Sequence, residues 1–171
     1  MTIAQTLLHE LEQEAQTTKR VLGRVPDAHL DWRPHAKSYS LGQLALHVAQ
    51  IPGSVAALAM QSPATPPQFT QERARTSADL LPALDESVGA AKGLLSNASD
   101  ATMTETWRLM MGDLELMAMP RMAFLRMVML NHWYHHRGQL VVYLRQLDVP
   151  VPSVYGPSAD ENPFAELLAS R

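Results

Sequence analysis

The chain of 171 residues contains no cysteine. That absence excludes disulfides, protein thiolate nucleophiles and every Cys-based metal site. Lysine is scarce, at Lys19, Lys37 and Lys92, and the 14 basic residues are scattered among 17 acidic ones. A protein that grips duplex nucleic acid through its phosphates needs a basic face. With a formal net charge of -3 and no basic cluster, nucleic acid is not an expected partner. Long apolar runs are also missing: the longest piece, Phe124 to Leu130, is broken by Arg126, so no stretch is expected to span a bilayer. The N-terminal segment MTIAQTLLHELEQEAQTTKR has no charged start followed by a long apolar run, and so does not look like a secretory signal. A cytoplasmic protein without a membrane partner is the expectation.

What is present is a globular composition, 46% apolar, in a length that suits one domain over residues 1–171 with a continuous core. No repeat or low-complexity tract interrupts it. Residues 3–23 carry apolar positions at roughly helical spacing, from Ile3 through Leu7, Leu8, Leu11 and Ala15 to Val21 and Leu22, and Gly23 is a plausible stop. The Pro-containing stretch VPDAHLDWRPHAKSYS follows as a loop, which Trp32 is expected to anchor to the bundle. Ser40 is a good N-cap for a second helix, with Pro52 and Gly53 expected to kink or interrupt it. Residues 62–70 are Pro-rich and connect over the surface. Ser77 is expected to cap a third helix, which runs to about Leu95 and is ended by Asn97, Ser99 and Asp100. Residues 104–119 alternate around Gly112-Asp113, which suits a small β-hairpin, with a frayed helix still open. Pro120 begins the strongest helix, ending near Leu147 before Pro150 and Pro152. Residues 162–170 suit a short last helix. The fold class is all-α: a four-helix up-down bundle with a long first crossover loop and a short C-terminal helix.

Three of the seven histidines fall in NHWYHHRGQL. His132 and His136, four apart, lie about 40° apart around a helix, a spacing at which two imidazoles reach one ion. The same face carries Leu125, Val128, Met129, Gln139, Tyr143 and Leu147 and is expected to be buried, whereas Arg126, Trp133 and Arg137 project to another side. Two buried neutral imidazoles need partners for their nitrogens, and a divalent cation satisfies both. His47, mid-helix among Leu44, Leu46 and Val48, supplies a third ligand. Three histidines with open positions form a catalytic rather than a closed structural pattern. Imidazole suits zinc, nickel, copper or iron(II). His135 is offset from the pair, and His9, His29 and His35 are expected to be ordinary surface or loop residues.

The segments LDWRPHAKSYSLGQLALHVAQIP and NHWYHHRGQLVVYLRQLDVPVPSVYGPSADE resemble the DinB/YfiT-like superfamily of metal-dependent enzymes. The first matches its W-x-P loop followed by a helix bearing the first metal histidine. The second matches its H-x-x-H-H-R-G-Q helix and P-x-x-Y-G-P tail. Residues Ser62 to Met119 carry no matching motif. The resemblance implies a four-helix bundle with a three-histidine centre whose ligands are His47, His132 and His136, and it implies a homodimer. Some relatives transfer low-molecular-weight thiols or use them in isomerisation, and many have no known activity, so fold does not fix the reaction.

The leading expectation is an enzyme in which one divalent transition metal (zinc or nickel first, with iron, manganese or copper open) serves transfer of a thiol cosubstrate or hydrolysis of a small-molecule substrate. No protein base is assigned. Gln43 and Gln139 are placed to bond a substrate or a ligand ring, Arg137 points away from the metal, and Tyr155 and Asp160 are weighed as closing over the site against packing the tail. The alternatives are a non-enzymatic metal-binding or stress-response bundle acting through protein interaction, and a metal-free bundle whose Met-rich segment, Met103 to Met129, is a partner surface or, more commonly, core or dimer interface.

Overall fold

The computed structural model describes residues 1–68, 70, 72–165 and 169. Helix α1 spans Ile3–Leu22 and buries Leu7, Leu11, Ala15, Thr18 and Leu22, a stripe at three- and four-residue spacing. Thr2 and Gln5 close its start as a reciprocal capping box. The Gly23 N–H donates to the Lys19 carbonyl at its end.

Helix α2, Leu41–Ala59, begins as expected at Ser40, whose hydroxyl accepts from the Gln43 N–H while the Gln43 side chain accepts from the Ser40 N–H. It continues without a break through Pro52 and Gly53, contrary to the expected interruption. Proline removes one backbone donor, that of residue 52, and so deprives the Val48 carbonyl of its helical partner. The indole N–H of Trp133 donates to that carbonyl instead, at 2.8 Å. Gly53 is required by packing: a Cβ there would lie 2.8 Å from the Ser87 carbonyl oxygen. The same glycine's N–H donates to Ser87 Oγ at 2.8 Å, and that hydroxyl donates to the Gln50 carbonyl at 3.0 Å. Helix continuity therefore rests on two groups from outside the helix.

By length and composition α2 is apolar enough to cross a membrane, with a mean hydropathy of 1.2 over its best window, which corrects the expectation that no stretch reaches that length. Two-thirds of that window, 67%, is buried inside the bundle. The apolar surface is covered by α3 and the last helix, as for a central core helix.

Helix α3, Leu80–Leu95, is preceded by a single 3-10 turn, Ser77–Asp79. Thr76, one residue before the expected Ser77, caps that turn, with the Asp79 carboxylate accepting from the Thr76 and Arg75 N–H groups. Ser99 does not end α3 but opens a short helix α4, Asp100–Thr104. Strands β1, Thr106–Met111, and β2, Leu114–Pro120, then form the antiparallel hairpin around Gly112-Asp113, and Gly112 takes the left-handed φ of +59° that this tight turn demands. Trp107 on β1 stacks on Phe124, with ring centroids 3.8 Å apart, and donates to the Leu58 carbonyl at the end of α2.

The last helical rod is continuous from α5, Arg121–Phe124, through a π-helical stretch, Leu125–Asn131, into α6, His132–Gln146. Arg121 is buried at its start. It donates to the Ala59 carbonyl at 2.8 Å, to the Thr102 carbonyl and to Glu105, which satisfies carbonyls left over at the ends of α2 and α4. The rod is tied to α1 by a polar seam. Arg126 grips Glu10 with two bonds of 2.6 Å, Tyr134 donates to Glu10 at 2.7 Å, and Arg137 pairs with Glu14 at 2.6 Å. The architecture is a mostly helical bundle with one small hairpin, as expected. The short helix expected over 162–170 lies partly outside the described residues, since 166–168 and 170 are not among them.

Candidate metal centre

Helices α2 and α6 cross so that His47 faces His132 and His136. One ring nitrogen from each of the three lies within 4.8 Å of the others. Ring centroids are 5.4 Å apart for His47 and His132, 4.7 Å for His47 and His136, and 4.5 Å for His132 and His136. Two nitrogens on a tetrahedral zinc sit roughly 3.4 Å apart, and the half-buried rings have the χ freedom to close that difference.

The ring orientations suit ligation. His132 Nδ1 lies 3.2 Å from the Val128 carbonyl. A carbonyl only accepts, so Nδ1 bears the proton and Nε2 keeps its lone pair. The π-helical stretch prepares this contact, because the His132 backbone N–H turns to the Met127 carbonyl five residues back. His136 Nδ1 lies 2.7 Å from Gln139 Oε1, which leaves Nε2 of that ring free in the same way. Burial lowers the pKa of all three histidines. His47 falls from the ordinary 6.5 to about 4, helped by the charges of His136 and His132. His132 and His136 are lowered for the same first reason, partly opposed by the Val128 and Gln139 hydrogen bonds. Neutral rings at neutral pH are the form that ligates. The donor set, three neutral imidazoles with converging nitrogens, fits a divalent transition metal and is compatible with a metal-binding protein.

The histidine pair does not lie on the most buried face, as the spacing suggested. Trp133, Arg137, Leu140 and Leu144 hold that line, while His132, His136 and Tyr143 are half-buried and Gln139 is exposed. The physical reason is that α6 packs against both α2 and α1, and its core-facing line falls between the two contacts. Arg137 does point away from the histidines: it is 2% exposed, against Glu14 and Thr18 of α1. Tyr155 donates to Glu14 at 2.9 Å and accepts from Arg137. Asp160 pairs with Arg145 and accepts from the Val151 N–H. The tail is thus docked on the α1 side and does not close over the cluster. Gln43 serves the α2 cap. His9 bonds Gln13, His35 accepts from the Lys37 N–H, and His9, His29, His35 and His135 are all exposed.

Trp32 packs edge-on against Tyr143, with centroids 5.5 Å apart, and so anchors the first crossover loop as expected. Two contributors were not singled out from the sequence. The Val128 carbonyl had a usable signal, since it sits four residues before His132. Tyr39, whose ring centroid is 5.8 Å from that of His47, had none, because it lies in the loop outside any periodic pattern. The Met-rich segment divides: Met103 and Met129 are fully buried, and Met111, Met122 and Met127 are exposed.

Comparison with known proteins agrees with this architecture. YrdA of Bacillus subtilis (strain 168), itself uncharacterized, is 28% identical over 169 residues, 92% of each chain. Among solved structures, a DinB-like protein from Bacillus cereus ATCC 10987 superposes with a TM-score of 0.67 at 22% identity, covering 87% of this chain and 95% of that one. The DinB-like protein YjoA from Bacillus subtilis gives 0.66 at 19% identity, covering 85% and 95%. The family model of the DinB family matches residues 1–164, and the chain belongs to that family.

Proposed function

We propose that the protein is a metalloenzyme that holds one divalent transition metal, zinc or nickel first, through His47, His132 and His136. The observation that carries this reading is the convergence of three imidazole nitrogens within 4.8 Å with the Nδ1 atoms of two rings already engaged elsewhere. Structural zinc sites close with four protein ligands, whereas catalytic ones keep a position open. The cluster contains three ligand-bearing side chains among the described residues, which favours the open kind. When bound, a divalent ion supplies Lewis acidity that acidifies a coordinated thiol or water. The chain has no cysteine, so any thiol arrives as a cosubstrate. Transfer of a low-molecular-weight thiol, with hydrolysis of a small molecule as the neighbouring reaction, is the class we assign. Val128 and Gln139 hold two ligand rings in the required tautomer. A cytoplasmic homodimer completes the reading.

Elemental analysis of tag-free protein purified without added metal, beside the His47→Ala variant, tests the proposal. About one equivalent of a transition metal per chain, lost in the variant, is the expected result. No metal in the wild type, with no uptake on titration, overturns it.

A further inference from the structure

The ring of Tyr39, in the first crossover loop, contacts the cluster. Tyr39 stands against His47 at 5.8 Å between centroids, tilted by 50°, and remains 36% exposed. Tyr143 lies on α6, seven residues beyond His136 and on the same face. Its hydroxyl donates to the Tyr39 carbonyl at 3.3 Å, and its ring meets the edge of Trp32. The backbone holds this group in place from below. The Leu41 N–H donates to the Trp32 carbonyl at 2.8 Å and the Gly42 N–H to the Leu30 carbonyl at 2.9 Å, so the loop is bolted to the first turn of α2, the helix that carries His47. Rings fixed in this way offer contact area at little cost in lost rotamer freedom.

We infer that Tyr39, its backbone held by the Tyr143 hydroxyl, is a specificity-determining shelf that selects ligands carrying a planar apolar group beside their metal-binding atom. This rests on the metal-centre reading above and deepens it by naming a substrate class. The exposed part of Tyr39 is the contact surface. Aromatic pairs prefer offset or edge-to-face geometry, and this preference distinguishes a planar ring from a saturated one of similar size.

The test uses the cobalt(II)-loaded full chain, with binding read from the visible absorption of the ion. The probes are phenylmethanethiol and cyclohexylmethanethiol, which are close in size and apolar area but differ in planarity. The expected result is tighter binding of the planar thiol by about two- to tenfold. That preference should be retained in Tyr39→Phe and lost in Tyr39→Leu, both with unchanged cobalt stoichiometry. Equal affinities in the wild type, or a preference that survives in Tyr39→Leu, overturn the shelf while leaving the metal centre standing. Failure to take up cobalt before any thiol is added overturns both.

Discussion

The Trp133 indole N–H donates to the Val48 carbonyl at 2.8 Å, four residues before the proline that cannot serve it. One side chain from the last helix thereby serves the backbone of the helix that carries His47, and couples the two helices that carry the histidine cluster.

The coupling predicts a non-additive pair. Trp133→Phe leaves the buried Val48 carbonyl without its donor and should cost about 1–3 kcal/mol beyond any packing loss. In a Pro52→Ala background, residue 52 regains a backbone N–H that can reach the same carbonyl. The cost of Trp133→Phe should then shrink by about 1 kcal/mol in a double-mutant cycle followed by urea unfolding. Strict additivity would show that the indole does not substitute for the missing amide.

Metal affinity should separate the histidines. His132→Ala and His136→Ala each remove a proposed ligand and should abolish most binding, while His135→Ala, exposed and outside the cluster, should cost little. Gln139→Ala should weaken binding by about 10–100-fold, the usual effect of deleting the hydrogen bond behind a ligand ring. Competition with a chromophoric chelator measures all four. Similar losses at positions 132 and 135 would mean that the ligand set is wrong.

The metal-free protein should lose stability in mild acid. His47, His132 and His136 have pKa values below 6.5 in the folded chain, His47 at about 4, because burial disfavours the charged ring. Unfolded chains therefore bind more protons than folded ones below about pH 6.5. Stability is full above that value and falls as the pH drops toward 4. Glu10 adds a second loss at lower pH. Its carboxylate is held below the ordinary 4.5 chiefly by its hydrogen bonds to Arg126, so its contribution is present above that value and is lost as acid protonates it. Urea midpoints of wild type and His47→Gln between pH 7 and 4 check this. The variant should show the shallower decline, and parallel curves would discount His47.

The Arg137–Glu14 pair predicts a large effect away from the histidine cluster. Both side chains are mostly buried, 2% and 14% exposed. Glu14→Ala leaves the buried guanidinium without its counter-charge, though still bonded to Thr18 and Tyr155, and should destabilise by about 3–5 kcal/mol, whereas joint replacement by Arg137→Met and Glu14→Gln should cost far less. Thermal unfolding with and without metal separates this from ligand loss. A Glu14→Ala variant of wild-type stability would contradict the assigned role.

The local signals were mostly legible. Ser40 followed by Gln43 marks the start of α2, Gly112-Asp113 marks the hairpin, and His132 and His136 share a face by spacing alone. Other features misled. Pro52 and Gly53 read as a break because a single segment contains neither the Trp133 donor nor the close approach of Ser87. Ser99 read as a stop because a five-residue helix is too short to show periodicity. The histidine face read as the buried one because the spacing alone cannot say that α6 packs against two helices at once.

The sequence by itself determined the long helices, the Ser40–Gln43 cap of α2, the place of the hairpin turn and the shared face of the histidine pair, since each depends on residues within a few positions of one another. His47 was expected to meet that pair, and tertiary structure decided the distances at which it does so, that the Val128 carbonyl and Gln139 hold the Nδ1 atoms of His132 and His136, that Arg137 is buried against Glu14, and that Tyr39 stands beside the cluster. These depend on the crossing of α2 and α6 and on the rotation of each about its axis. That geometry is set by the packing of the whole core, so no local pattern encodes it.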